Sequence, residues 1–322
     1  MSRLFEIKNL SVIFDTADGT IRAVNNISLN VNQGECLAIV GESGSGKSQT
    51  FLTAMGLLAD NGRSSGIINL NGSNLLEMKR KELNKLRGNR IAMIFQDPMT
   101  ALTPHMKVGE QIREVLVHHQ GAGKKDSYKI IKKMFERVNI PEPDKRMQMY
   151  PHELSGGLRQ RVMIAMALIC KPDVIIADEP TTALDVTVQA QIMDLLKEVK
   201  TEIGAAIILI THDLGVVAGI ADRVAVMYAG SVVESGDVFE IFYNTKHPYT
   251  LGLLSCSLSL DKKIDFLEAI KGQPPNPNKL PNGCAFNPRC NKVKAICKEK
   301  EPKLKFRQQS HLSACHFEFG VK

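Results

Sequence analysis

Cys36-Leu37-Ala38-Ile39-Val40-Gly41-Glu42-Ser43-Gly44-Ser45-Gly46-Lys47-Ser48 is the stretch that decides the fold. Its first five residues form a continuous apolar run, as in a strand buried on both faces of a parallel sheet. The next eight fit G-x-x-x-x-G-K-[ST] without a mismatch. After them Phe51, Ala54, Met55 and Leu58 fall at helical spacing. Strand, loop and helix in this order make a phosphate cradle. Gly41, Gly44 and Gly46 let the backbone N–H groups of the loop, those of Ser43 and Ser45 included, turn inward. The helix N-terminus adds positive partial charge. Lys47 can reach β and γ phosphates, and Ser48 can ligate magnesium. Taken alone the motif says nucleotide, and it leaves kinase, GTPase and transport ATPase open.

Working outward, Phe5 and Ile7, then Ile27, Leu29 and Val31, alternate as half-buried strands do. Residues 90–95 read as a further strand. From Val108 to about Ile140 the pattern is helical, with Tyr128, Ile131, Phe135 and Val138 on one face. A helix over about 156–169 leads into a buried strand over 174–177. A long amphipathic helix follows, marked by Val188, Ile192, Leu195, Val199 and Ile203, and then strands over 206–210 and 223–228. The alternation predicts an α/β fold with a mainly parallel core sheet, an antiparallel β portion and a helical insertion.

The chain has 322 residues, 43% of them hydrophobic and 23% charged, enough to bury a core and unlike a disordered or fibrous protein. Its formal charge is +7, which invites a nucleic-acid or membrane-surface reading. That charge is local. From Lys279 to Lys322 there are ten Lys and Arg against three Glu, so the rest of the chain is formally neutral and no general nucleic-acid grip is expected. No apolar stretch approaches the ~18 residues of a bilayer span, and residues 1–14 lack the apolar block of a secretory signal. A cytosolic chain is expected, with its seven cysteines as thiols or metal ligands. Cys36, Cys170 and Cys256 read as small core residues, His118 and His119 as surface residues.

A second chemical feature is Val174-Ile175-Ile176-Ala177-Asp178-Glu179. A carboxylate at the end of a buried strand suits a grip on magnesium, here Asp178; its neighbour Glu179 can orient and deprotonate an attacking water. A third is Leu154-Ser155-Gly156-Gly157-Leu158-Arg159-Gln160-Arg161. Ser155, Gly156 and Gly157 open a helix and make a second anion site, although a plain serine cap reads the same way. One ATP does not need two such sites from one chain. A dimer in which each chain's Ser155–Gly157 closes over the other's nucleotide uses both.

With these motifs in order, the chain resembles the ATP-binding cassette (ABC) family. The resemblance implies that Gln96, in Ile94-Phe95-Gln96-Asp97-Pro98, touches magnesium and water and relays to a membrane partner. It implies that Asp185, in Ala183-Leu184-Asp185, lies at the dimer seam, that His212 senses the γ-phosphate, and that Phe14 stacks on adenine. Leu158 departs conservatively from the Met or Gln of many relatives. The segment from His247 to Leu253 and Leu280-Pro281-Asn282-Gly283-Cys284 resemble the C-terminal extension of peptide and nickel importer ATPases. Residues 93–99 and 159–166 look most like the D-type ATPase subunit of oligopeptide permeases. The implied layout is an ABC ATPase domain over 1–243, with a helical subdomain at about 97–158 between the glutamine loop and the Ser155 motif. The extension runs over 244–322, with a linker at 272–282 and a Cys-rich region at 283–322. The implied function is ATP hydrolysis that powers oligopeptide import from the cytoplasmic face of the inner membrane. Implied partners are a second, related ATPase subunit, two permease subunits and an extracytoplasmic peptide-binding protein. Dipeptide or nickel import stands behind that reading. A soluble cassette protein without a transport role is more remote, since such chains carry two cassettes or a long coiled coil.

Cys284, Cys290, Cys297 and Cys315 all lie in the basic tail. No C-x-x-C pair occurs, so zinc ribbons and ferredoxin arrays do not match. The Cys-x5-Cys-x6-Cys-x17-Cys pattern resembles that of cluster-bearing peptide importer ATPases and implies a 4Fe-4S cluster, whose negative charge a basic surround offsets. A zinc site, with His316 or His311 joining, and four metal-free cysteines are the other readings.

Overall fold

The apolar run Cys36–Val40 is a strand with every residue buried. The computed structural model describes residues 3–182, 185–258, 270–308 and 310–318. The chain divides into two compact units, residues 78–209 and residues 2–77 with 210–322.

In the second unit Cys36–Val40 runs parallel to Arg223–Tyr228, and Ser231–Asp237 returns antiparallel along the latter. His311–Ser313 adds antiparallel to Ser231–Asp237, and Lys305–Gln308 pairs with His311–Ser313. The extension beyond residue 244 is thus built into a sheet that also carries the strand before the phosphate loop. A separate antiparallel sheet has the order Gly19–Asn32, Arg3–Thr16, Gly62–Leu70, Ser73–Asn74. Its first two strands pair with Thr16 opposite Gly19, so Ala17 and Asp18 form a two-residue hairpin turn.

In the first unit Ile91–Ile94 runs parallel to Val174–Asp178, and Ala206–Thr211, which straddles the unit boundary, is next to Val174–Asp178 in the sheet order. The helical stretch is the pair Val108–Gln120 and Lys124–Arg137, separated by Gly121 in the left-handed region. Ile112, Leu116, Ile131, Phe135 and Val138 are buried. Tyr128, expected on that face, is instead exposed, because its hydroxyl reaches out to donate to Asp144 at 2.7 Å. The long helix is Val186–Ile203, with Ile192, Leu195, Leu196 and Val199 inward. The helix after the phosphate loop spans Lys47–Ala54 and stops at Gly56 with φ +58°, which leaves Leu58 outside it. Among the described residues no helix is long and apolar enough to cross a membrane.

The extension is fastened by a buried polar pair. His311 Nε2 lies 2.7 Å from Glu234 Oε1, and both side chains are fully buried. The backbone N–H of Lys246 also donates to that carboxylate, and Ser313 Oγ donates to the Lys246 carbonyl at 3.0 Å. His311→Ala would remove the only side-chain partner, among the described residues, of the fully buried Glu234 carboxyl, leaving it the Lys246 N–H alone, at a cost of about 3 kcal/mol. Thermal unfolding should drop accordingly, and limited proteolysis should open the chain around 305–313 first. An unchanged unfolding midpoint would deny the pair this role.

Candidate functional site

The phosphate loop follows directly from local packing. Gly46 has φ +95°, and a Cβ there would sit 2.3 Å from the Ala23 carbonyl. A Cβ on Gly41 would sit 2.2 Å from the Met227 carbonyl. Both positions therefore admit only glycine, and the loop is wedged against the strands Gly19–Asn32 and Arg223–Tyr228. Lys47 is buried and donates to the carbonyls of Gly41 at 2.7 Å and Glu42 at 3.0 Å. Ser45 Oγ is buried without a hydrogen-bond partner. An orphan hydroxyl, a buried ammonium and a helix N-terminus in one loop fit an anionic ligand. Phe14 is half-buried near the end of its strand, its ring against Gly62. His212 is exposed in the bend after Ala206–Thr211, and Asp213 caps the next helix by accepting from the N–H groups of Gly215 and Val216.

The other unit carries the carboxylates. Asp178 ends the buried strand, and Glu179 follows at φ +46°, a conformation that costs a non-glycine residue about 1–3 kcal/mol and collects at functional positions. Gln96 Nε2 donates to Glu179 Oε2 at 3.0 Å, and Thr182 Oγ1 donates to the same oxygen at 2.9 Å. The sequence pairs Gln96 with the family pattern, and the structure joins it to Glu179. Ser155 caps Gly156–Leu168, its Oγ accepting from the Leu158 N–H at 3.4 Å. Ser155 and Gly156 are exposed, and a Cβ on Gly156 would meet nothing within 4 Å. Asp185 caps Val186–Ile203 by accepting from the Val188 N–H at 2.9 Å, beside a Val186 that is 83% exposed. Ala183 and Leu184 lie outside the described residues.

Cys284, Cys290, Cys297 and Cys315, scattered over 32 residues of sequence, line one cavity of about 200 Å³ with His247, Phe286 and others. The Cys284 N–H donates to the Cys297 carbonyl at 2.8 Å, and Gly283, at φ +73°, allows that approach. Burial pushes the Cys284 thiol up to about 11, and the other three cysteines push it the same way. Burial likewise raises Cys290 and Cys315. Burial holds His247 down at about 4, and its Nδ1 accepts from the Tyr249 N–H at 3.1 Å. His316 also lines the cavity, but its Nε2 is engaged with the Lys300 carbonyl at 2.7 Å. His311 is engaged by Glu234 instead. Among the described residues no group of three or more His, Cys, Asp and Glu side chains is placed to hold a metal ion. A single zinc needs its sulfurs drawn to about 2.3 Å from the ion, a convergence that is absent. Of the remaining cysteines, Cys36 and Cys170 are buried, and Cys256 is half-buried.

Sequence reading missed Glu42, Tyr249 and Arg289. Arg289 forms a two-pronged ion pair with Glu42, at 2.6 and 2.9 Å. The Glu42 N–H donates to the Tyr249 hydroxyl at 2.9 Å. Their separations of 247 and 207 residues leave no local pattern to detect. The nearest signal is the position of Glu42 inside the phosphate motif.

Comparison with known proteins places these features in a family. Residues 24–182 match the ABC transporter family, and residues 233–297 match the oligopeptide/dipeptide transporter C-terminal region. The oligopeptide transport ATP-binding protein OppD of Salmonella typhimurium is 54% identical over 97% of this chain and 93% of its own length. The dipeptide transport ATP-binding protein DppD of Lactococcus lactis is 50% identical over 93% of this chain and 86% of its own. Among solved structures, the dimeric post-hydrolysis state of the ATP-binding cassette MJ0796 bound to ADP and Pi superposes with a TM-score of 0.66. It is 29% identical and covers 73% of this chain and 98% of that one. Motifs, fold and near full-length likeness agree: the chain belongs to the ABC transporter family, in its oligopeptide and dipeptide transport ATP-binding branch.

Proposed function

We propose that this chain is the ATP-binding and ATP-hydrolysing subunit that powers oligopeptide import through an ABC transporter. The observation that carries the reading is the near full-length likeness to OppD proteins, which extends through the C-terminal region. Dipeptide import is the second reading, favoured by the likeness to DppD. Nickel import and a soluble cassette role stand further back.

The residue roles follow from chemistry and family. Phe14 stacks on adenine, and the loop from Gly41 through Ser43, Gly44, Ser45 and Gly46 cradles the phosphates. Lys47 binds the β and γ phosphates. Magnesium, held by Ser48, Gln96 and Asp178, supplies charge neutralisation on the phosphates when bound. Glu179 takes the proton of the attacking water, Gln96 orients that water, and His212 contacts the γ-phosphate. The hydrogen bonds from Gln96 and Thr182 hold the Glu179 carboxylate in one orientation. Ser155, Gly156 and Gly157 act in trans on the ATP of a partner ATPase, and Asp185 lies at that seam; the exposure of Ser155, Gly156 and Val186 supports this. Two nucleotides are sandwiched, closure drives the membrane subunits through the helical subdomain at about 97–158, and hydrolysis reopens the pair. The partners are a second, related ATPase subunit, two permease subunits and an extracytoplasmic peptide-binding protein. The chain works at the cytoplasmic face of the inner membrane. The ATPase domain spans 1–243, and the extension spans 244–322.

In that extension Cys284, Cys290, Cys297 and Cys315 hold a 4Fe-4S cluster. The shared cavity and the lysines on its rim, Lys292 and Lys294, support this over zinc. Bound there, the cluster supplies a rigid four-point crosslink for a small, loop-rich region.

Glu179→Gln should bind ATP normally and lose turnover by about 100-fold or more, measured as ATPase activity of the assembled transporter; near-normal turnover would remove Glu179 from the base role. Anaerobic purification should give iron and a broad visible absorbance, both lost on Cys297→Ser. Preparations with neither, or with zinc in their place, would end the cluster assignment. Two different ATPase subunits should co-purify with the permease, and a pure homodimer of this chain would overturn the heterodimer.

A further inference from the structure

Glu42 is an unexpected residue for a phosphate loop, because an anion there repels the ligand. Every polar group it owns is held. Its carbonyl accepts from Lys47, its N–H donates to the Tyr249 hydroxyl, and its carboxylate is gripped by both prongs of Arg289. Two of these three partners come from the C-terminal extension.

Arg289 is buried, with 5% of its side chain exposed, and its fork is fully employed. Besides Glu42 it donates to the carbonyls of Lys271 at 3.1 Å and Ile270 at 3.4 Å, where the proline-rich linker begins. It also reaches the Tyr228 hydroxyl at 3.4 Å and sits over that ring at 5.9 Å. Tyr228, Tyr249 and Phe286 pack edge and face behind it, with ring centroids 4.5 to 5.4 Å apart. Further along, Pro274, Pro275 and Pro277 line the same small recess as Glu42, Ser43 and Ser45. The extension therefore reaches the loop at three places: a guanidinium, a hydroxyl and a proline strap.

We propose that Arg289, together with Tyr249, positions the phosphate loop for ATP by neutralising and immobilising Glu42, so that the C-terminal extension sets the ATP affinity of the subunit. A bidentate guanidinium cancels the carboxylate charge and fixes its plane, which a lysine cannot do. With Glu42 pinned, Lys47 can leave the Gly41 and Glu42 carbonyls for the phosphates without the loop closing on itself. Arg289 is a positioning residue, acting through Glu42. The proposal rests on the ATPase reading above, and Lys47→Ala, which should abolish ATP binding, tests that reading separately.

The experiment measures KM for Mg-ATP and kcat on the assembled transporter. Arg289→Ala should raise KM by about tenfold while kcat at saturating ATP stays within about twofold, because the interaction is made with the loop and not with the reacting atoms. Arg289→Lys should fall between. Glu42→Gln combined with Arg289→Ala should bring KM back to within about threefold of the starting protein, since the repelling charge is gone. Tyr249→Phe, which removes one hydroxyl and no charge, should raise KM by about threefold and serves where Arg289→Ala does not fold. A purely structural clamp would lower the unfolding temperature and leave KM in place. The proposal is overturned if Arg289→Lys and Tyr249→Phe both keep KM within twofold, or if the double variant is as impaired as Arg289→Ala alone.

Discussion

Two close backbone approaches govern the unit that holds the phosphate loop. At Gly41 the Met227 carbonyl, and at Gly46 the Ala23 carbonyl, occupy the space any side chain would need. The loop is thereby pressed between the strand that precedes the helix and two strands of different sheets. Lys47 folds back onto the loop, donating to the carbonyls of Gly41 and Glu42. A phosphate-binding loop must be preformed, because ordering six residues on ligand binding would cost about 1–2 kcal/mol for each. The wedge removes that cost in advance.

Continuous apolar runs were the most legible part of the sequence. Cys36–Val40 and Arg223–Tyr228 fall where the pattern places them, and Val174–Asp178 and Ala206–Thr211 each run one residue further. A strand buried on both faces has no other way to be written. Helix lengths were less legible: the spacing of Phe51, Ala54, Met55 and Leu58 carries no information about a left-handed Gly56 that stops the helix. Gly62–Leu70 was missed because its first six residues are glycine, arginine, serine and isoleucine with little alternation, and only Ile68 and Leu70 are buried. The short strands Lys305–Gln308 and His311–Ser313 were missed for a related reason. Their place is set by His311 meeting Glu234 across 77 residues, not by local periodicity.

The site divides along the same line. Three contiguous motifs could be picked out from spacing alone: the loop, the Asp178-Glu179 pair and the Ser155 motif, whose serine caps its helix in the structure. Phe14, Gln96, Asp185 and His212 came from resemblance to a family rather than from spacing. The contacts of Glu42 were invisible to both routes. The surplus of positive charge in the tail looked at first like an electrostatic surround for four cysteines. Lys292 and Lys294 do lie on the rim of that cavity, but Arg289, the residue before Cys290, faces the phosphate loop instead. Tail charge thus has two destinations.

That division gives the extension a mechanical meaning. Phe286 lines the four-cysteine cavity and packs on Tyr228 and Tyr249, which touch Arg289 and Glu42. A group that fixes Cys284 and Cys290 fixes the short segment between them, which contains both Phe286 and Arg289. The guanidinium can hold Glu42 at two points only while its own backbone is held. Within the segment the Asn287 N–H donates to the Cys284 carbonyl and the Arg289 N–H to the Phe286 carbonyl. If Arg289 positions the loop as proposed, a crosslink through these cysteines would help to keep it there.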